Sequence, residues 1–233
     1  MINSKMNLIV IEGLDGAGKS TQIKLLQEYF DQKGLEYRYL HFPRTDAPWF
    51  GEMISRFLRG EFGSLEQVNP YIVALLYAGD RMDAAAKIRE WLGSGIYVLL
   101  DRYVYSNVAY QCAKIEDEPG RDALKKWIFG LEFDHFGIPV PAINIFLDVP
   151  FAFTESSLQS GRSGEDRKYL NGNNDIHESN IDFQARVKQV YIDTAKSDPT
   201  LKIINCIDHS GGIMTAVDIH KSIKALLTFN NLI

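Results

Sequence analysis

Short apolar runs alternate along this chain with longer stretches in which apolar residues recur every three or four positions. The runs predict buried strands at residues 7–11, 37–42, 96–100, 142–149 and 201–207. The longer stretches predict helices at residues 21–30, 70–92, 119–136 and 213–227, with further helices starting near residues 53, 104 and 179. This alternation predicts an α/β fold, in which a parallel five-stranded sheet carries helices on both faces and gathers ligands at the carboxyl ends of its strands.

The longest predicted helix has clear boundaries and two distinct faces. Asn69 and Pro70 suit its cap and first position, and the Gly-Ser-Gly segment at 93–95 ends it. A second face carries Val73, Tyr77 and Arg81 at four-residue spacing, which is not typical of a solvent-facing stripe. The residues spaced to face the core are Tyr71, Ala74, Leu75, Ala78, Met82 and Ala85.

Residues 160–174 differ in composition from the rest of the chain. They are rich in Gly, Asn and Ser, nearly devoid of apolar residues, and contain Arg162, Arg167 and Lys168. A long cationic loop inside a compact domain is usually functional, so we expect a mobile lid at about residues 160–178. Ser179 and Asp182 predict a capping box at the start of the next helix.

The segment after the first predicted strand carries the phosphate chemistry. Residues 13–20 read GLDGAGKS, which matches the phosphate-binding loop pattern between a strand and a helix. Its glycines let backbone N–H groups face phosphate oxygens, Lys19 neutralises the β- and γ-phosphates, and the Ser20 hydroxyl suits Mg²⁺ as the cofactor. The residues assigned to a nucleoside triphosphate are Gly13, Asp15, Gly16, Ala17, Gly18, Lys19, Ser20 and Thr21.

Composition narrows the class of protein further. A chain of 233 residues with 45% apolar and 24% charged residues suits one globular domain, residues 1–233. The net charge of −5 argues against a nucleic-acid surface, and no apolar run reaches membrane-spanning length. Cys112 and Cys206 form no metal-binding or disulfide pattern, and the N-terminus lacks the apolar core of a signal peptide. We therefore expect a cytoplasmic protein that binds neither nucleic acid nor membrane.

Two classes of triphosphate chemistry compete. A regulatory GTPase needs a guanine-reading [NT]KxD motif, and the nearest segment, residues 195–198, reads AKSD with the wrong first residue. A kinase that holds two phosphorylated molecules head to head needs cations from several segments, and Arg44, Arg102, Arg162 and Arg167 suit that arrangement. A phosphate acceptor is already ionised near neutral pH, so such a kinase needs no strong general base. The kinase interpretation therefore uses more of the chain.

Six segments point to one kinase family. They are IEGLDGAGKSTQ at 11–22, FPR at 42–44, LYAGDR at 76–81, DRYVYSNVAY at 101–110, GIPVP at 137–141 and LDVP at 147–150. On these segments, from about residue 8 to residue 191, the chain resembles the thymidylate kinases, which phosphorylate dTMP with ATP. The resemblance implies phosphoryl transfer from ATP to dTMP in dTTP biosynthesis.

The resemblance also implies roles for residues that contact the acceptor dTMP. Asp15 would contact its 3′-hydroxyl, and Arg44 and Arg102 would hold its phosphate. Tyr110 would crowd the 2′ position and exclude ribonucleotides. In the base pocket, the implied roles are stacking on thymine for Tyr77, a bond to the thymine carbonyl for Arg81, and contact with the pyrimidine edge for Asn107.

The same resemblance implies how the reacting phosphates are held. Asp101 and Ser20 would order Mg²⁺. Some members of the family carry an arginine in the phosphate loop, where this chain has Gly16, and others supply it from the lid, which Arg162 and Arg167 suit. The implied catalytic residues are Lys19, Arg102, Arg162 and Arg167.

The resemblance further implies a cis peptide bond between Phe42 and Pro43 and a homodimer.

Two alternative functions stay open. A deoxynucleoside kinase would phosphorylate a 5′-hydroxyl and would need a base, where this chain supplies Arg44 rather than a carboxylate. A non-catalytic phosphate-loop protein would bind the nucleotide without turnover. The preference between dTMP and dUMP is also left open by the sequence.

Overall fold

A computed structural model describes residues 7–159, 169–170, 175–178 and 180–233 of the chain. The five strands are β1 (Leu8–Glu12), β2 (Tyr37–His41), β3 (Tyr97–Asp101), β4 (Ile143–Asp148) and β5 (Leu201–Asn205). The helices of the described ranges are α1 (Lys19–Lys33), α2 (Phe50–Leu58), α3 (Pro70–Gly93), α4 (Val104–Cys112), α5 (Glu118–Phe129), α6 (Phe151–Gln159), α7 (Ile181–Ser197) and α8 (Ala216–Phe229), with a π-helical segment at Gly130–His135.

The five strands form one parallel sheet in the order β2-β3-β1-β4-β5, which confirms the predicted α/β architecture. Strand β1 lies at the centre, with Ile9 paired to Leu99 of β3 on one side and to Ile143 of β4 on the other. From β1 the chain passes to β2 at one edge of the sheet, returns through β3 beside β1, and then crosses to β4 on the other side of β1. The carboxyl end of β1 is therefore the point where ligands bind in open α/β sheets.

The sheet is covered on both faces, which explains why its central strands read as unbroken apolar runs. Leu8 and Val10 of β1 belong to a core cluster packed with residues of α3, α4 and α5. Ile9 and Ile11 point the other way, into a cluster packed with α1, α2, α7 and α8. Both core clusters share the one sheet, so the elements around the carboxyl edge rest on a common support.

Several local predictions were wrong in detail. The predicted helix at 119–136 is divided, because the chain changes from α5 to the π-helical segment at Gly130. Asn180 caps α7 by accepting a hydrogen bond from the Phe183 N–H at 2.9 Å, and Ser179, the predicted cap, lies outside the described residues. Helix α6 was not predicted as a separate element.

The orientation of α3 also differs from the predicted one. Leu75 and Met82 are 41% and 39% exposed rather than in the core, whereas Val73 and Arg81 are buried. The helix packs against α2 and α4 as well as β3, so the second face is covered by neighbouring helices. No helix in the described ranges combines the length and the apolar character needed to cross a membrane.

Candidate functional site

A cavity of about 1140 Å³ opens at the carboxyl edge of the sheet. Every residue predicted to contact the acceptor lines it, as do Lys19 and both predicted magnesium ligands. These side chains come from the loop after β1, the loop after β2, helix α3, and the β3–α4 segment: Asp15, Lys19, Ser20, Arg44, Tyr77, Arg81, Asp101, Arg102, Asn107 and Tyr110. Arg162 and Arg167 lie outside the described residues, as does most of the predicted lid.

The phosphate loop connects β1 to α1 as the motif requires. Gly16 and Gly18 have φ angles of 76° and 80°, in the left-handed region that favours glycine. A Cβ atom added to Gly16 would lie 2.7 Å from the Ser157 hydroxyl oxygen of α6, so a side chain at this position would require Ser157 or α6 to shift. The Lys19 ammonium is buried and donates to the Leu14 carbonyl at 3.0 Å, which holds it across the loop.

Asp101 ends β3 as a buried carboxylate beside the phosphate loop. Its Oδ2 lies 3.4 Å from His41 Nδ1, and its Oδ1 has no hydrogen-bond partner among the described residues. Burial raises the pKa of Asp101, but the positive charge of Lys19 and the hydrogen bond from His41 oppose this effect, and the net pKa is lowered. Asp101 therefore stays ionised, with one oxygen available to a cation.

The next residue, Arg102, has a backbone φ of 68°, a conformation that costs energy for any residue except glycine. Its amide donates to the Ile11 carbonyl at 3.0 Å, which ties the end of β3 to β1. Its guanidinium donates to Ser106 Oγ at 3.1 Å, to Asp15 Oδ1 at 2.9 Å and to Tyr110 OH at 3.1 Å. The strained backbone thus aims a cation at the phosphate loop.

Asp15 is the centre of a small hydrogen-bond network. Its carboxylate accepts from Arg102, from Tyr110 OH at 2.7 Å and from Gln184 Nε2 at 3.2 Å. Gln184 also donates to the His177 carbonyl at 3.0 Å, so α7 and the segment before it contact the phosphate loop through this one side chain. Gln184 was not predicted as a site residue, although its position among Phe183, Val187 and Tyr191 on the core face of α7 was a signal.

Glu12 is a second organising carboxylate, and the sequence analysis gave it no separate role. It is buried at the end of β1, and its oxygens accept from the Tyr103 amide at 2.9 Å, from Ser106 Oγ at 2.5 Å and from Tyr191 OH at 2.9 Å. Burial raises the pKa of Glu12 despite these hydrogen bonds. Its contacts fasten the start of α4 to β1.

The predicted base-reading residues Arg81 and Asn107 meet on a third carboxylate. Arg81 Nε and Nη2 donate to the two oxygens of Glu132 at 2.5 and 2.7 Å, and Asn107 Nδ2 donates to Glu132 Oε1 at 3.0 Å. Arg81 is 2% exposed and Glu132 is fully buried. Burial opposes the charged form of Arg81, but the charge of Glu132 outweighs it, so the pKa of Arg81 is raised. Glu132 was missed by the sequence analysis, although it is a charge inside an apolar segment.

The loop after β2 contains the cis peptide bond between Phe42 and Pro43, as predicted. Arg44 follows it and lines the cavity, but its guanidinium is already engaged. Nε donates to Asp80 Oδ1 at 2.9 Å, and Nη2 donates to Asp83 Oδ2 at 2.7 Å. Two acidic residues of α3 therefore hold the predicted phosphate ligand in place.

The residues just before α7 also line the cavity. Asp175 is buried and accepts hydrogen bonds from Tyr169 OH at 2.8 Å and from the His177 amide at 2.7 Å. Burial, together with the nearby negative charge of Asp15, raises the pKa of Asp175 to about 7. The His177 ring contacts the Tyr110 ring at a centroid distance of 5.0 Å. No role was predicted from the sequence for Asp175, His177 or Glu178.

A phosphate loop after the central strand, a buried carboxylate after the neighbouring strand and cations converging on one cavity define a phosphate-loop phosphotransferase. The sequence model of the thymidylate kinase family matches residues 11–210. The chain therefore belongs to the thymidylate kinase family, and it is a phosphotransferase that phosphorylates dTMP to dTDP.

Individual relatives agree with this assignment. A probable thymidylate kinase of Thermococcus kodakarensis is 35% identical over 205 residues, which cover 86% of this chain and 89% of that protein. The thymidylate kinase of Mycobacterium tuberculosis is 33% identical over 188 residues, covering 81% and 85%. A solved thymidylate kinase structure from Candida albicans superposes with a TM-score of 0.69 at 26% identity, covering 97% of this chain and 92% of that one.

Proposed function

We propose that dTMP lies in the cavity with its base against Tyr77, Arg81 and Asn107 and its phosphate towards Arg102. In this arrangement the sugar lies beside Asp15 and Tyr110, whose direct hydrogen bond of 2.7 Å makes them one surface. Arg102 donates to both of these residues, so the same guanidinium that faces the acceptor phosphate also orders the sugar site. Arg44, which Asp80 and Asp83 hold in place, approaches the phosphate from the opposite side.

The proposed site for the nucleobase rests on two polar atoms, one of Asn107 and one of Arg81, that have no hydrogen-bond partner among the described residues. Asn107 Oδ1 is a buried acceptor with no hydrogen-bond partner among the described residues. Arg81 uses Nε and Nη2 on Glu132, and within the described part of the chain Nη1 donates to nothing. The acceptor Asn107 Oδ1 suits the N3–H group of thymine or uracil, and the donor Arg81 Nη1 suits the O4 group. Cytosine presents the opposite pattern at these two positions, so its binding would leave buried polar groups unmatched.

The phosphate loop accommodates ATP, with Lys19 beside the β- and γ-phosphates. Mg²⁺ fits between Ser20 and Asp101, because both line the cavity and Asp101 offers a buried oxygen that no described residue uses. When bound, the ion supplies charge neutralisation at the phosphate oxygens. We assign the lid arginines, Arg162 and Arg167, to the transferred phosphoryl group.

Phosphoryl transfer in this site depends on positioning and charge rather than on proton abstraction. The phosphate of dTMP is ionised near neutral pH, so it needs no base to become a nucleophile. Lys19 and Arg102 approach the reacting phosphates from two elements of the sheet edge and oppose the charge that develops during transfer. This distinguishes the proposal from a deoxynucleoside kinase, which must remove a hydroxyl proton.

The test is ADP release measured separately with dTMP, dUMP, dCMP and thymidine. We expect turnover with dTMP, none with thymidine, and for dCMP a kcat/KM that is roughly ten- to a hundred-fold lower. Arg81→Ala should reduce the preference for dTMP over dCMP, whereas Arg89→Ala, an exposed arginine on the same helix, should not. Thymidine as the better substrate would favour the deoxynucleoside kinase, and nucleotide binding without turnover would favour a non-catalytic protein.

We further infer a homodimer formed through α3. Ile72, Leu75 and Met82 are 56%, 41% and 39% exposed and recur at the spacing of one helix face. A second copy of this chain is the proposed occupant, because the predicted homodimer needs an apolar surface that no described element covers. Light scattering should give twice the chain mass, and Leu75→Lys should halve it, whereas Phe229→Lys, at an exposed apolar residue of α8, should not.

Two remaining inferences concern the whole chain. We propose that residues 1–233 form one domain, since both core clusters pack on a single sheet. We also propose a cytoplasmic location, which suits the free thiols of Cys112 and Cys206.

A further inference from the structure

Glu132 is a buried charge whose hydrogen-bond partners are the two polar residues assigned to the base. Its Oε2 accepts from Arg81 Nε, and its Oε1 accepts from both Arg81 Nη2 and Asn107 Nδ2. The carboxylate has no exposed surface. A buried ion pair of this kind adds little to stability compared with apolar residues of the same volume, so its presence beside a binding cavity calls for a functional reason.

The π-helical segment explains how Glu132 reaches this position. Within it the Phe136 amide donates to the Leu131 carbonyl, five residues earlier, at 2.9 Å, and the Ile138 amide donates to the Glu132 carbonyl at 3.1 Å. The wider turn departs from the α-helical spacing of α5, and such turns are frequent at functional sites. Glu132 points inward between α3 and α4, while the neighbouring Asp134 is exposed.

The orientation of the Asn107 amide follows from its two partners. Nδ2 donates to the Ala74 carbonyl at 3.0 Å and to Glu132 at 3.0 Å. A carbonyl and a carboxylate can only accept, so the nitrogen of the amide must face them and the oxygen must face away. A neutral side chain at position 132 that could donate would remove one of these two restrictions and leave only the Ala74 carbonyl to hold the amide. The same carboxylate holds two nitrogens of Arg81, which fixes the plane of the guanidinium and leaves Nη1 as its free donor.

We infer that Glu132 is the positioning residue that sets base specificity, because it fixes which polar atoms Arg81 and Asn107 present to the nucleobase. The inference rests on the proposed base pocket and extends it to a residue that touches no substrate. One carboxylate orients a donor on α3 and an acceptor on α4 together. The pocket therefore displays the pattern that matches thymine and uracil, and it cannot adapt to cytosine by turning the amide of Asn107.

Glu132→Gln is the informative substitution. It keeps the shape of the side chain but replaces one carboxylate oxygen, which accepts, with an amide nitrogen, which donates. The new amide nitrogen faces Arg81 Nε in one orientation and both Arg81 Nη2 and Asn107 Nδ2 in the other, so Arg81 loses a hydrogen bond in either case. We expect the ratio of kcat/KM for dTMP to that for dCMP to fall roughly ten- to a hundred-fold. The KM for dTMP should rise, while the KM for ATP stays near the wild-type value. Asp134→Asn, two residues further along the same segment, is the matched control and should change neither.

Glu132→Asp covers the case in which the glutamine variant does not fold. It retains the negative charge beside Arg81, but its shorter side chain cannot reach Arg81 and Asn107 together, so the ratio should again fall. Thermal unfolding of each variant shows that it is folded before the kinetics are compared. A purely structural role would lower activity with dTMP and dCMP by the same factor, and an unchanged ratio in a folded variant would overturn the inference. If the wild-type protein itself fails to prefer dTMP over dCMP, the proposed base pocket fails instead.

Discussion

The carboxylate of Asp15 collects hydrogen bonds from three separate parts of the chain, so replacing it with asparagine tests the assembled site. Arg102 donates to one oxygen at 2.9 Å, and Tyr110 and Gln184 donate to the other at 2.7 and 3.2 Å. Asp15→Asn keeps the shape of the side chain but replaces one oxygen with an amide that can only donate. Whichever way the amide turns, it faces at least one donor, and Arg102 loses its charged partner.

The size of the effect follows from the burial of this pair. The side chains of Arg102 and Asp15 are only 9% and 18% exposed, so water replaces the lost interaction poorly. A hydrogen bond to a charged group contributes about 1.5–3 kcal/mol, and the upper part of that range applies here. A loss of about 2–3 kcal/mol in the positioning of the acceptor corresponds to a fall of roughly 30- to 150-fold in kcat/KM.

The assay is ADP release with dTMP and with the analogue that lacks the 3′-hydroxyl. Because Asp15 is assigned to that hydroxyl, the wild type should prefer dTMP, and Asp15→Asn should lose most of this preference. Asp134→Asn, an exposed carboxylate outside the cavity, controls for the loss of one negative charge. A folded Asp15→Asn variant that stays within about threefold of the wild type, with its preference intact, would refute the assigned role.

Three further predictions follow from single side chains. Lys19→Ala should abolish turnover while leaving thermal unfolding nearly unchanged, and an active variant would contradict the role of the phosphate loop. Tyr110→Ala should narrow the preference of the enzyme for dTMP over its ribonucleotide; an unchanged ratio would place the 2′ position elsewhere. Burial lowers the pKa of the Lys114 ammonium from 10.5 to about 7. Between these two pH values unfolding takes up a proton, so the free energy of unfolding rises with pH across this range. Lys114→Met should therefore stabilise the protein against urea at pH 7 by a few kcal/mol, a gain that must shrink near pH 10 if the reasoning holds.

Local features of the fold and site were predictable because adjacent residues determine them. The strand, glycine loop and helix around Lys19 follow one another within the motif, and the structure places them accordingly. Asp101 and Arg102 end a strand of the predicted sheet, so the rule that strand carboxyl ends gather ligands was enough to place them beside the phosphate loop. The helical spacing of Tyr77 and Arg81 predicted that they share one face of α3, and both line the cavity.

Long-range partnerships were not predictable in this way. Glu132 lies 51 residues from Arg81 and 25 from Asn107, and only the packing of α3, α4 and the π-helical segment brings the three together. The exposure of Leu75 likewise depends on which neighbours cover α3, since its periodicity alone fits a core position. Patterns along one helix show which residues share a face, but they do not show what that face meets.

The close approach of Ser157 to the position that a Cβ of residue 16 would take limits which substitutions this sequence can accept at Gly16. The resemblance to the family implies that an arginine in the phosphate loop, where a member has one, stands at the position of Gly16. Here any side chain at that position would meet both Oγ and Cβ of Ser157, at 2.7 and 2.8 Å from the new Cβ, and would need a φ of 76°. Even alanine at position 157 retains the Cβ, so a side chain at position 16 needs either glycine at position 157 or a shift of α6. The two arrangements of the catalytic arginine are thus separated by more than the exchange at Gly16, because residue 157 or the position of α6 must change with it.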